Sequence, residues 1–204
     1  MIVNLIDGRS GNTRLRAARR SGPNTRTATI DVYSSESLSA IVERVVGACT
    51  HPRSIWLLRI MAHGNSGYVQ LGREPLNRNS CREFKSLRGY LTPGGIGIAL
   101  HSCGPASHTS ITRDPDDWLE RLLVDKDSWV TIPGTVGPGG GSGVDFLRQL
   151  ASYTGVPVRG GVNTQRPDSD FRFEGPSIAV SPNGATVAVP DLGRLGLDIT
   201  RIIR

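Results

Sequence analysis

Two short apolar runs in this chain each end in a reactive side chain. Ile55-Trp56-Leu57-Leu58-Arg59-Ile60-Met61-Ala62 leads into His63-Gly64, and Ile96-Gly97-Ile98-Ala99-Leu100-His101-Ser102 leads into Cys103-Gly104. Cysteine attacks carbonyl carbon as the thiolate, the minor form of a free thiol at neutral pH. A neighbouring imidazole stabilises that thiolate and later protonates a leaving amine. Backbone N–H groups at Gly64 and Cys103 could hold the oxyanion of a tetrahedral intermediate, and glycine allows a substrate backbone to come close. His63 and Cys103 are therefore the candidate catalytic pair, and the chemistry they suit is acyl transfer, with peptide hydrolysis its commonest case.

Such a pair works only if the fold brings it together. Apolar runs of this length read as buried strands of an open α/β sheet, whose ligands bind beyond the carboxyl ends of the strands. Between them, residues 80–91 read as a helix and Pro93-Gly94-Gly95 as its stop. Strand, helix, strand is a βαβ crossover, so the two strands are expected to be parallel, with His63 and Cys103 side by side at one edge. A core histidine and a buried thiol could also end two strands. The βαβ spacing, with His-Gly on one strand and Ser-Cys-Gly on the other, favours the reactive pair.

The rest of the chain reads as further α/β alternation. Strands are expected at 2–6 and 27–33, then a helix over about 36–49 capped by Ser34 or Ser35, with Leu38, Ile41, Val42, Val45 and Val46 at helical spacing. Asn65-Ser66-Gly67 reads as a turn and Tyr68–Leu71 as a hairpin strand. Beyond Cys103 come a helix around Trp118–Leu123, a strand at 129–132, a helix at 142–153, a strand at 156–162 and a hairpin at 171–189. Periodicity does not give the order of strands in the sheet. The glycine tract 133–143 lies between a strand and a helix but lacks the closing lysine and hydroxyl of a P-loop, so it reads as a loop over the site.

Composition narrows the function classes. The 204 residues fit one domain, and 37% hydrophobic with 21% charged residues suits a globular chain. No apolar stretch is long enough to span a bilayer, and Met1–Gly8 lacks the pattern of a signal peptide, so no membrane partner and a cytoplasmic location are expected. The net charge of +6 rests almost wholly on arginine, since lysine occurs only at Lys85 and Lys126. Apart from Arg14–Arg20 the arginines are dispersed, and no nucleic-acid-binding motif accompanies them, so nucleic acid is not the expected partner. Cys49, Cys81 and Cys103 are too few and scattered for a disulfide framework. Cys49 reads as a small core residue and Cys81, among polar neighbours, as a helix-start or surface position. His101, Cys103 and His108 form a competing zinc constellation, but a fourth ligand is not apparent, and neither metal nor cofactor is expected.

These motifs resemble the caspase-like (clan CD) cysteine peptidases, whose shared pattern is an apolar strand ending in His-Gly and a later one ending one small residue before Cys. The similarity is closest to an uncharacterised bacterial caspase-like domain family. Ala62-His63-Gly64, Tyr68-Val69-Gln70-Leu71-Gly72, the helical Phe146–Leu150 and Thr154-Gly155-Val156 match its arrangement over about residues 54–165. The resemblance implies a three-layer α/β/α sandwich with a mostly parallel central sheet, spanning 1–204 as one domain. It implies Cys103 as nucleophile, His63 as catalytic histidine and the Gly64 backbone in the oxyanion hole. His101-Ser102 stands where caspases carry Gln-Ala and where metacaspases place an Asp two positions before the nucleophile, so neither an acidic nor a basic P1 preference carries over. His101, Ser102 and Asp145 are candidates for supporting the site or lining its pocket, and Asp168 and Asp170 are further pocket candidates. The expected partner is a protein or peptide substrate, the chain itself included, with 8–26 and 133–143 as candidate processing loops and a regulatory protein as a further partner. The alternatives are a non-catalytic caspase-like module that binds a protein and, third, a basic nucleic-acid-binding domain.

Overall fold

Apolar strands that cannot face water collect into one sheet, and here six of them do so in the order β2-β1-β3-β7-β8-β9. The computed structural model describes residues 1–10, 26–106, 143–162 and 177–187. The strands of the main sheet are β1 (Ile2–Asp7), β2 (Thr27–Val32), β3 (Leu57–Met61), β7 (Gly97–His101), β8 (Val158–Gly161) and β9 (Ser177–Val180). All neighbours pair parallel except β9, which runs antiparallel to β8 and leads into a tight turn at 181–184. A second, three-stranded antiparallel sheet follows β3: β4 (Gly64–Asn65), β5 (Tyr68–Leu71) and β6 (Glu74–Asn77).

The chain moves from β2 past β1 to β3, then to β7 and β8, always in the same direction across the sheet. Right-handed connections then place the intervening helices on one face. Helix α1 (Leu38–Ala48), a 3₁₀ helix (Cys81–Gly89) and α2 (Gly143–Thr154) all pack there. Their apolar residues, Ile41, Val45, Phe84, Leu87, Phe146 and Leu150 among them, share one core with Val3, Leu5, Leu58, Ile60, Leu100 and Val158 of the strands. Burying each large side chain contributes about 1.5–3 kcal/mol. Alternation turns Ile2, Leu57, Ala99, Ile6 and Met61 to the opposite face, where they are also buried. The same face carries the polar Asn4, Arg59, His101 and Arg159.

Several expectations are sharpened or corrected. Helix α1 begins at Leu38, and its cap is Ser37 rather than Ser34 or Ser35: Ser37 Oγ accepts the Ala40 N–H at 3.3 Å. Replacing Ser37 by alanine removes that acceptor and is expected to lower stability by about 1 kcal/mol, read from urea unfolding. The 80–91 helix is a 3₁₀ helix, in which residues three apart eclipse. Cys81, Phe84 and Leu87 therefore share its buried side, and Cys81 is at the helix start as expected but in the core rather than on the surface. Cys49 caps the end of α1, half-buried against the core. Of the expected loop 8–26, Gly8–Ser10 forms a fixed 3₁₀ turn. The expected helix at 118–123, strand at 129–132 and the glycine tract up to Ser142 lie outside the described residues, as do His108, Asp168 and Asp170.

Candidate functional site

The edge where β1, β3 and β7 end is built by register. Met61 of β3 pairs with His101 of β7, and the Ala62 N–H continues the ladder to the His101 carbonyl. His63 and Cys103 each stand two residues beyond that last pair, on strands that neighbours in a sheet hold about 4.8 Å apart. The two segments stay in contact past the strand ends. A Cβ added at Gly64 would lie 2.9 Å from both Cβ and Oγ of Ser102, and 2.9 Å from the Tyr68 carbonyl oxygen. The loop after Cys103 is anchored as well: the Gly67 N–H donates to the Pro105 carbonyl, and the Ala106 N–H to that of Gly161. Gly64 is thus the residue that lets the histidine and cysteine strands close on each other. Gly64→Ala must force them apart, and Cys103 is expected to lose about tenfold in alkylation rate at neutral pH, measured by peptide mass.

His63 is oriented by a contact the sequence did not announce. Its Nε2 lies 2.9 Å from the backbone carbonyl oxygen of Arg9. A carbonyl only accepts, so Nε2 carries the proton and, in the neutral ring, Nδ1 carries the lone pair. The basic nitrogen of the ring is then Nδ1, the one that can take a proton from a thiol. Arg9 is itself fixed at the end of β1. Its Nε and Nη2 donate to the two carboxylate oxygens of Asp7 at 2.7 and 2.6 Å, and its backbone N–H donates to the same carboxylate at 3.1 Å. Asp7, 1% exposed, also accepts the Gly72 N–H at 2.9 Å, while Arg9 Nη2 donates to the Gly72 carbonyl at 2.7 Å. Gly72 turns the β5–β6 hairpin at φ +66°, where a Cβ would meet the Glu36 carbonyl oxygen at 2.5 Å. The strand-end rule applied to β1 would have pointed to Asp7 and Arg9, as it pointed to His63 and Cys103.

The remaining candidates fall in different places. Ser102 is buried against Gly64, and its Oγ has no hydrogen-bond partner among the described residues. His101 is partly buried; burial, with the nearby Arg59 and Arg159 guanidinium groups, pushes its pKa down to about 3. It is therefore a neutral imidazole at physiological pH and cannot supply a positive charge beside Cys103. Asp145 lies on the first turn of α2, where Arg148 donates to it at 3.0 Å. It lines a groove of about 580 Å³ with Arg78, Arg148, Tyr153 and Asn183, and neither His63 nor Cys103 lines that groove. Cys103 is half-buried. Among the described residues, no three His, Cys, Asp or Glu side chains converge as a metal site, and no helix is long and apolar enough to cross a membrane.

No family model matches this chain, and no curated protein or solved structure matches it either.

Proposed function

We propose that this chain is a caspase-like cysteine endopeptidase, a three-layer α/β/α domain that cuts a protein or peptide substrate with a Cys103–His63 dyad. One observation carries the reading: His63 and Cys103 continue adjacent parallel strands by the same two residues, while the Arg9 carbonyl holds the His63 ring in the tautomer a base needs. In this mechanism His63 Nδ1 takes the Cys103 proton, and the thiolate sulfur bonds to the substrate carbonyl carbon. The oxyanion that forms accepts hydrogen bonds from the backbone N–H groups of Gly64 and Cys103. Collapse of the tetrahedral intermediate breaks the C–N bond, and the His63 imidazolium protonates the leaving amine. Water, deprotonated by His63, then cleaves the thioester and restores the thiol. No step requires a metal or an organic cofactor.

The deciding experiment is an unbiased cleavage profile of a peptide library and of the chain itself, wild type against Cys103→Ala. The expected result is a set of cuts made by wild type and absent from the variant. The same cuts in both, or none in either with the folded protein, would overturn the peptidase reading and leave the protein-binding module in its place.

A further inference from the structure

Arg9 spends its polar groups on an arrangement that stability alone does not require. A buried ion pair is often no more stable than a well-packed apolar pair of similar volume. Yet here a fully buried carboxylate takes two guanidinium N–H groups, the N–H of the same arginine and the N–H of Gly72. The guanidinium also ties down the Gly72 carbonyl, so the end of β1 and the β5–β6 turn are joined through two side chains, Asp7 and Arg9. The consequence is that Arg9 is held both by its backbone N–H and by its side chain, and its carbonyl receives His63.

Resting on the endopeptidase reading, we infer that the Asp7–Arg9 pair is a positioning device for His63, holding the Arg9 carbonyl where it fixes the Nε2–H tautomer and aims Nδ1 toward Cys103. Arg9 and Asp7 do not touch the reacting atoms and act only through His63. The arrangement also assigns a role to Gly72, which ends the Leu71-Gly72 pair. Its positive φ and lack of a side chain allow its N–H and its carbonyl to reach the carboxylate and the guanidinium at once.

The test uses the full chain labelled with ¹⁵N-histidine. The His63 tautomer is read from long-range ¹H–¹⁵N spectra in wild type, Arg9→Ala and Arg9→Lys, with the His63→Gln spectrum assigning the signals. The pH profile of Cys103 alkylation is measured on the same samples. Wild type is expected to show the Nε2–H form. Arg9→Ala is expected to show a tautomer mixture, with Cys103 alkylation at pH 7 reduced roughly 10–100-fold and its profile displaced to higher pH. Arg9→Lys keeps the charge but not the two parallel N–H bonds, so it should fall between the two. A folded Arg9→Ala with the wild-type tautomer and the wild-type pH profile overturns the inference, whatever its melting temperature. If Arg9→Ala does not fold, Arg9→Lys decides in the same way: a mixture supports the device and an unchanged tautomer overturns it. Failure of the endopeptidase reading is seen separately, as Cys103 alkylation in wild type that His63→Gln does not change, and the tautomer comparison still decides the role of Arg9.

Discussion

Iodoacetamide at low concentration is expected to label Cys103 well ahead of Cys49 and Cys81, and the preference is expected to vanish in His63→Ala. The contrast follows from the three environments. Cys81 is fully buried, its Sγ donates to the Arg78 carbonyl, and burial pushes its thiol up to about 12, so almost no thiolate exists at neutral pH. Cys49 is half-buried at the end of α1, where its Sγ donates to the Val45 carbonyl. Cys103 is half-buried at the sheet edge that also carries His63, whose Nε2 is engaged by the Arg9 carbonyl. In turnover the effect is larger. Loss of the nucleophile or of its base removes a group that works only as part of a unit, so Cys103→Ala and His63→Ala should each reduce cleavage by at least about 10³-fold, and the double variant by little more. Additive losses in the double variant, or labelling of Cys103 at the same rate with and without His63, would show that the two residues do not act together.

How much of this was legible before the structure depended on whether the determining contacts are local. The two key strands were legible, because an apolar run broken only by Arg59 and a glycine-punctuated run ending at Leu100 have few alternatives. Their parallel pairing followed from the helical stretch between them, and the structure carries it through Leu57↔Gly97 to Met61↔His101. The third strand of the small sheet was missed because Glu74-Pro75-Leu76-Asn77 contains a proline. Among the described residues that strand lies at the edge of the small sheet, paired with β5 alone, and there a missing N–H costs little. Cys81 stands at a helix start, one of the two places its polar neighbours suggest, whereas its burial follows from its spacing of three from Phe84 and again to Leu87. Asp7 and Arg9 were missed for a different reason. Their significance lies in bonds to Gly72 and His63, more than fifty residues away along the chain, and no local pattern encodes those partners.

His101 illustrates a consequence that neither spacing nor resemblance could provide, and it yields the second large expected effect: acid should destabilise this protein from about pH 6.5 downward. In the folded chain the imidazole is held neutral down to about pH 3, first by burial and then by the like charges of Arg59 and Arg159. In the unfolded chain it protonates near 6.5. Between those values the unfolded state binds one more proton than the folded state, so stability rises with pH and is lost as pH falls below 6.5. The slope for one proton is about 1.4 kcal/mol per pH unit, which gives about 2 kcal/mol between pH 6.5 and 4.5. Part of His101 remains at the surface, which favours the lower side of that figure. Urea unfolding of wild type across that range should show the slope, and His101→Gln, which keeps a polar side chain but has nothing to protonate, should flatten it. Equal slopes in the two proteins would mean that His101 is free to take up its proton in the fold. It would then be a cation two residues before Cys103, and the description of His101 as a neutral imidazole would have to be given up.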